Sequence, residues 1–179
     1  MNLQTALALN TDAFFDYIKT IPYGYLDRLG NLHFEGDPDF RDYEYRFSSP
    51  EEVVENNCGW CWDVANLISL YCQSHSIEHI PLFLEYHTPE LHQTHTQIFL
   101  LLNNMWYPAP DNSAVFSLGA GERVEYETCR DNYVQTFREY LQFVLKERYD
   151  ESQLLLKPIT APIPGGISDE EYLELVRNC

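Results

Sequence analysis

The chain has 179 residues, of which 45% are hydrophobic and 15% aromatic, so it is predicted to form one globular domain rather than a disordered chain. Its 28 acidic and 11 basic residues give a formal net charge of −17, which argues against nucleic acid and membrane surfaces as partners because both are anionic. The sequence has no long apolar run, no basic N-terminal region and an odd number of cysteines, which together predict a cytoplasmic protein with reduced thiols.

The N-terminal part of the chain is predicted to hold a short helix followed by extended segments. Thr11 and Asp12 are candidate N-caps for the helix, and Pro22 is expected to end it. The pair Gly30-Asn31 permits positive φ between two apolar segments, which predicts a hairpin. Aromatic and charged residues alternate over 43–47, as they do in a half-buried strand.

Two helices are predicted next. Ser49 and Glu52 have the spacing of a capping box, with Pro50 at the first helical position, so a short helix is expected to begin here. From Cys61 onward, apolar residues recur at steps of three and four, which predicts a central helix with one buried face. Its apolar positions are Val64, Ala65, Leu67, Ile68, Tyr71 and Cys72.

A pair of antiparallel strands is predicted after the central helix. Residues 80–86 and 96–102 are apolar runs of strand length, separated by a histidine-bearing loop. Asn103-Asn104 supplies two residues that tolerate positive φ, so the chain is expected to turn tightly and return through residues 105–107 as a neighbouring strand. The prolines that follow are expected to end that strand.

The C-terminal part is predicted to be mainly helical. A long helix over about residues 130–148 carries an apolar stripe and is expected to cover the sheet. Ser168 and Glu171 form a second capping-box pattern before a terminal helix over residues 169–177.

This order of elements predicts an α+β fold, in which a central helix carrying Cys61 packs on an antiparallel sheet of roughly three to five strands. The domain is predicted to span residues 1–157. Residues 158–179 are predicted to form a Pro/Gly-rich connector, beginning at Pro158, and a short C-terminal helix.

Cys58 and Cys61 are the thiols nearest the start of the central helix. A thiol reacts as the thiolate, which is stabilised by the N–H groups and the positive dipole end of a helix N-terminus. Cys61 lies at the predicted helix start, whereas Cys58 precedes it, so Cys61 is the stronger candidate nucleophile. The alternative for Cys61 is a purely structural role as a small buried side chain.

A cysteine nucleophile needs a base, and the base needs a third group that orients it. His95 opens the predicted strand over 96–102, and Asp111 follows the strand that returns after the turn at Asn103-Asn104. Residues at these two positions are expected to meet at one end of the sheet. Cys61, His95 and Asp111 therefore form a candidate catalytic triad.

At these residues the sequence resembles the bacterial transglutaminase-like cysteine protein superfamily, whose papain-like core carries a Cys-His-Asp triad. The resemblance covers roughly residues 23–111. It implies Cys61 as the nucleophile, His95 as the base and Asp111 as the orienting acid. The matching segments are Ser49-Pro50-Glu51-Glu52-Val53, Gly59-Trp60-Cys61-Trp62-Asp63, Thr94-His95-Thr96, Trp106-Tyr107-Pro108 and Asp111.

Such a triad implies a cysteine hydrolase or acyltransferase that acts on a peptide, protein or amine substrate without a cofactor or metal. His95 would take the proton of Cys61, the thiolate would attack an amide carbonyl, and the Cys61 N–H would help to hold the oxyanion. Tyr45 is a candidate second oxyanion donor. These residues leave hydrolysis and transamidation equally open.

Two alternatives involve Cys58. The segment Cys58-Gly59-Trp60-Cys61 is a C-x-x-C at a helix start, as in dithiol oxidoreductases, although a helix rather than a strand is predicted before it. A disulfide between these thiols would also switch the nucleophile off under oxidation. Cys58, Cys61, His92 and His95 are in addition four potential zinc ligands, although the histidine spacing is shorter than usual.

A third alternative is a catalytically inactive interaction module that keeps the same fold. Asp111 follows Pro110, one residue later than the acid that usually follows the corresponding Trp-Tyr-Pro-x segment in the family that the chain resembles. A displaced acid of this kind favours the non-catalytic alternative.

Overall fold

The computed structural model describes residues 1–40, 42–112, 125–159 and 165–178. The chain folds into helices and two antiparallel sheets, which confirms the predicted mixture of helix and antiparallel strand. None of the helices within these residues is long and apolar enough to cross a membrane. The helices are α1 (Leu3–Leu7), α2 (Thr11–Thr20), α3 (Pro50–Asn56), α4 (Cys61–Ser74), α5 (Tyr126–Leu145) and α6 (Asp169–Asn178). The strands are β1 (Gly24–Asp27), β2 (Leu32–Phe34), β3 (Tyr45–Arg46), β4 (His79–His87), β5 (His92–Leu102), β6 (Met105–Pro108) and β7 (Leu154–Pro158).

The two sheets differ in size. The smaller sheet has the strand order β2-β1-β3 and the larger sheet has the order β6-β5-β4-β7, and every pairing is antiparallel. In the larger sheet, β4 and β5 pair from His79 opposite Leu100 to His87 opposite His92. This long hairpin is the element on which the rest of the larger sheet is built.

The larger sheet lies between α4 and α5. Ile98 and Leu100 of β5 pack in the same core cluster as α4, whereas Phe99 between them packs with α5, because successive strand side chains point to opposite faces. On the α4 side, Phe14 of α2 stacks on Tyr71 with ring centroids 3.7 Å apart. Burial on both faces explains why residues 80–84 of β4 and 98–102 of β5 are continuous apolar runs.

Local turn and cap predictions are confirmed. Asn103 and Asn104 have φ values of 54° and 61° in the turn between β5 and β6, and Gly30 has a φ of 85° between β1 and β2. At the start of α3, Ser49 Oγ accepts from the Glu52 N–H at 3.3 Å, and the Glu52 carboxylate accepts from the Ser49 N–H at 2.8 Å. Each of these features depends on groups close in sequence.

The cap of α2 differs from the prediction. Asn10, rather than Thr11 or Asp12, is the N-cap, because its side-chain oxygen accepts from the Ala13 N–H at 3.0 Å. Both predicted caps lie inside the first turn instead. The short helix α1, which precedes this cap, is not predicted from the sequence.

The start of β5 also differs from the prediction. The strand begins at His92, so His95 lies inside it rather than at its start, and only the short turn between His87 and His92 remains of the predicted histidine-bearing loop. Backbone pairing continues beyond the apolar run because a strand ladder needs main-chain groups, not apolar side chains.

Helix α5 covers the sheet as predicted but spans Tyr126–Leu145 instead of about 130–148. Lys146 ends it with a positive φ of 56°, and a short 3-10 turn follows over Lys146–Arg148. Val144, an apolar residue of this helix, is 40% exposed. The buried side of α5 is formed by Cys129, Tyr133, Phe137, Leu141 and Leu145.

The C-terminal segment packs into the fold. Strand β7 pairs with β4 and includes Pro158, the residue at which the connector is predicted to begin. The capping box of α6 is confirmed, since the Ser168 N–H donates to the Glu171 carboxylate at 2.8 Å and the Glu171 N–H donates to Ser168 Oγ at 3.2 Å. Residues 160–164, with two prolines of the predicted connector, lie outside the described residues. The residues of α6 that are buried are Tyr172, Leu173 and Val176.

Candidate active site

Cys61 is the first residue of α4. Trp60 before it is the N-cap in extended conformation, and its N–H donates to Asp63 Oδ2 at 2.9 Å. N–H groups in the first turn of a helix have no partner within the helix and carry the positive end of the dipole, so anions are favoured there. Cys61 is only partly buried, whereas Trp62 and Asp63 after it are buried. The thiol thus combines access with a position suited to negative charge.

The β5–β6 hairpin brings His95 and Asp111 together. The register places Phe99 opposite Pro108, and its continuation beyond β6 carries Asp111 to the level of Thr96, the residue next to His95. His95 Nε2 lies 3.6 Å from Asp111 Oδ2, and the two side chains are 1% and 6% exposed. The extra proline before Asp111 therefore does not prevent this acid from reaching the histidine.

The pKa of His95 is shifted by burial and by its contacts with Asp111 and Cys61. Burial by itself lowers this pKa, because the charged ring loses solvation. The interactions with Asp111, 3.6 Å away, and with Cys61, together with their negative charge, outweigh burial and raise the pKa of His95 to about 9. Because Nε2 faces Asp111, Nδ1 is the ring nitrogen left for the Cys61 sulfur. The three residues of the predicted triad thus lie in one cluster.

Tyr23 belongs to the site although no sequence motif marks it. It precedes β1 and forms a parallel bridge with Gly59, two residues before Cys61. Burial raises the pKa of the Tyr23 hydroxyl, as do the charge and hydrogen bond of Cys61 and the charge of Asp111. This hydroxyl therefore stays protonated and provides a hydrogen-bond donor close to the sulfur. Its position depends on pairing between remote segments, which sequence patterns do not reveal.

Asp63 is a second buried acid close to the nucleophile. It accepts hydrogen bonds from the Trp60 N–H at 2.9 Å, the Ser48 N–H at 2.8 Å and the Tyr45 hydroxyl at 2.8 Å. Burial raises the pKa of Asp63 to about 7, and the three hydrogen bonds act in the opposite direction. Because its hydroxyl proton is donated to Asp63, Tyr45 is not the oxyanion donor that the sequence suggests.

Asn112 ties the Asp111 segment to the loop that carries the nucleophile. Its side-chain Nδ2 donates to the Gly59 carbonyl at 2.8 Å. The same carbonyl lies 3.4 Å from the Gly24 N–H, which links β1 to this loop. These contacts hold three segments in fixed relation around Cys61.

A cavity of about 350 Å³ opens beside Cys61. Its walls come from β1, β3, the start of α4, the first half of β5 and helix α6. Most of its lining is aromatic, with Trp60 stacked on Tyr25 at 5.1 Å and edge-on to Tyr45 at 4.8 Å. A cavity of this size next to a candidate nucleophile is the expected form of a substrate-binding site.

The structure gives little support to a dithiol role for Cys58. The side chain of Cys58 is 1% exposed, and burial together with the charge of Asp63 raises its pKa to about 12. The element before it is helix α3, not the strand of a thioredoxin unit. A thiol that is buried and protonated is a poor partner for thiol exchange.

The four residues of the zinc alternative do not form a ligand cluster. His92 Nε2 lies 2.8 Å from Glu85 Oε1, while His95 faces Asp111. Within the described residues, the group with ligand atoms close enough to share a metal is Glu85, His87 and His92, whose atoms lie within 4.8 Å of one another. Arg177 of α6 also donates to Glu85, so a guanidinium already balances that carboxylate.

Comparison with known proteins does not identify a family or a function. No family model matches the chain, and a search of curated proteins finds no match.

Proposed function

We propose that the protein is a cysteine hydrolase or acyltransferase with a transglutaminase-like, papain-like core. Cys61 is the nucleophile, His95 the general base and acid, and Asp111 the group that orients the ring. One observation carries the proposal: buried His95 interacts with Cys61 on one side and faces Asp111 on the other. The position of Cys61 at the start of a helix packed on an antiparallel sheet supports the same interpretation.

Before acylation, the proton of the Cys61 thiol passes to His95, and the imidazolium, whose pKa is raised to about 9, pairs with the thiolate. The sulfur attacks the carbonyl carbon of an amide, and a tetrahedral oxyanion forms. The Cys61 N–H and the Tyr23 hydroxyl are the donors next to the sulfur that stabilise this oxyanion. The imidazolium of His95 then gives its proton to the leaving nitrogen, the C–N bond breaks, and a thioester remains on Cys61.

Deacylation reverses the proton transfers. His95 takes a proton from water or from an amine, which attacks the thioester, and the C–S bond breaks as the proton returns to the sulfur. Water yields an acid, and an amine yields a new amide. This cycle needs a reduced Cys61, so we also propose that the protein acts in the cytoplasm.

The proposal is tested by acylation of the full chain with p-nitrophenyl acetate. A burst of nitrophenol equal to the enzyme concentration is expected, and the acetyl group should map to Cys61 by peptide mass spectrometry. An alkylating amide such as chloroacetamide should label the same residue near neutral pH.

The matched control is Cys61→Ser, which should lose both the burst and the label. Labelling that survives Cys61→Ser, or that never occurs near neutral pH, would contradict the proposal. That result would instead favour an interaction module without catalytic activity.

A further inference from the structure

The cavity beside Cys61 has an unusual lining. Nine of its 15 lining residues are aromatic, and none of the described residues that line it is a lysine or arginine. Glu44 is the carboxylate among them, and its Oε1 lies 2.8 Å from Nη2 of Arg28 in an exposed ion pair, which a substrate cation would have to share or displace. Thr94 and Thr96 of β5 form the wall next to the triad, so a group held in the cavity lies directly beside the nucleophile.

The outer wall of this cavity lies in a field of negative charge. Tyr25 and Tyr43 line the wall, and Asp27, Asp39 and Asp42 are near enough to both hydroxyls that their charge raises the pKa of each tyrosine, in addition to burial. The sequence around them is acidic as well, since residues 35–44 contain five acidic residues and one arginine. An anionic group would be repelled from this entrance.

The aromatic wall is held rigidly. Trp60 is stacked on Tyr25 and contacts Tyr45 edge-on, and the Tyr45 hydroxyl is bonded to buried Asp63. A ring that donates a hydrogen bond to a carboxylate gains electron density, which strengthens the attraction of its face for a cation. Fixed aromatic faces combined with nearby carboxylates are the features that bind alkylated ammonium and guanidinium groups.

We propose that this cavity binds the cationic side chain of a lysine or arginine residue in the substrate. The assignment of the bound residue to a substrate rests on the function proposed above, in which the attacked carbonyl lies at the Cys61 sulfur. The aliphatic part of the side chain packs on the aromatic walls, and the charged end lies toward Glu44 and the acidic outer wall. A neutral side chain of equal length gains the packing but not the charge attraction.

The inference is tested by binding to the full chain carrying Cys61→Ser, which separates binding from catalysis. The probes are Nα-acetyl-lysine methylamide and its neutral counterpart Nα-acetyl-norleucine methylamide, with binding followed by tryptophan fluorescence, since Trp60 and Trp62 line the cavity. The lysine probe is expected to bind about tenfold more tightly. Equal or tighter binding of the norleucine probe would overturn the inference.

Two variants localise the effect. Tyr43 is 45% exposed, so Tyr43→Leu should fold normally and lower the lysine preference at least about threefold. Glu44→Gln should also lower the preference, whereas the matched control Glu55→Gln, an exposed position on α3, should leave it unchanged. An unchanged preference in both cavity variants would place the lysine site elsewhere and overturn the inference.

Failure of this inference can be told apart from failure of the proposed function. Acylation of Cys61 in the wild-type chain without lysine preference would overturn the inference alone. Preferential lysine binding without any acylation of Cys61 would overturn the proposed enzymatic function. The cavity would then be a site that recognises basic peptides.

Discussion

Two buried carboxylates lie near Cys61, and they have opposite roles. Asp63 is fully buried and accepts hydrogen bonds from two backbone N–H groups and a tyrosine, none of which ionises near neutral pH. Asp111 is nearly as buried but faces His95, a group that gains and loses a proton. The first acid holds the start of α4 in place, whereas the second supports proton transfer in the proposed mechanism.

The difference shows that burial of an acid near a nucleophile does not by itself assign it to chemistry. The partners decide the role, because fixed donors only hold a carboxylate, whereas a titrating partner couples it to a reaction. The contrast is testable, since the two acids should affect different measurements.

The largest effect is expected for His95→Ala. Removal of the base should lower the rate of Cys61 acylation by about 10²- to 10⁴-fold, because the thiol loses its proton acceptor. The measurement is the nitrophenyl acetate burst rate, with exposed His75→Ala as the matched control. If His95→Ala acylates at the wild-type rate, His95 is not the base. Asp111, which acts through His95, would then have no role in proton transfer that distinguishes it from Asp63.

The next effect is expected for Asp63→Ala. This change leaves three donors without their acceptor, two of them buried, so the free energy of unfolding should fall by about 3 to 5 kcal/mol in urea denaturation. The control is Asp16→Ala, whose side chain is 75% exposed and should change stability little. A loss below about 1 kcal/mol would show that Asp63 does not hold the start of α4.

A smaller effect is expected for Asp111→Asn, and it should appear in the pH profile. The folded pKa of His95 is raised to about 9, so the imidazolium is present well below pH 9 and is lost as the pH rises through that value. The rate of amide cleavage, in which the imidazolium gives its proton to the leaving nitrogen, should therefore decline above about pH 9. In Asp111→Asn this decline should begin at least about one pH unit lower, since the charge that favours the imidazolium is gone.

If activity in Asp111→Asn declines at the same alkaline pH as in the wild type, Asp111 does not take part in the proton transfer. The variant should also retain most of its stability, because asparagine has nearly the same size as aspartate and its side-chain oxygen can still face His95. A loss of stability as large as that of Asp63→Ala would show that Asp111, like Asp63, has a structural role.

The smallest effect is expected for Cys58→Ser. Cys58 is 1% exposed with a pKa raised to about 12, so in the folded protein its thiolate is scarce at pH 8. Alkylation of Cys61 should change by less than about twofold, and no label should appear at Cys58 in the wild-type chain. Rapid labelling of Cys58 would reopen the dithiol alternative.

The sequence predicts those parts of the fold whose causes are local. The capping boxes at Ser49 and Ser168, the turn at Asn103-Asn104 and the helix that begins at Cys61 all follow from groups within a few residues of one another. Boundaries are less certain where several adjacent residues compete for one role, as at the cap of α2, where Asn10 prevails.

The candidate triad is predictable because a tight turn sets the register of the strands around it. His95 and Asp111 flank the turn at Asn103-Asn104, so the hairpin returns Asp111 to the end of the sheet where His95 lies. The final approach to 3.6 Å is made beyond the paired part of β6, where the register alone would set Asp111 opposite Thr96. The position of Tyr23 and the hydrogen bond from Tyr45 to Asp63 could not be predicted in the same way. Each depends on contact between segments that are remote in sequence, and sequence patterns do not reveal such contacts.

By itself, the sequence determined most helices and strands around the site, the position of Cys61 at the start of a helix, and the acidic character of the chain. Only the tertiary structure decided that Asp111 reaches His95, that Asp63 holds the start of α4, and that aromatic residues from β1, β3 and α6 surround one cavity. The reason is physical: caps, turns and helical stripes depend on neighbours along the chain. Burial, pKa and cavity shape depend on which remote segments pack together.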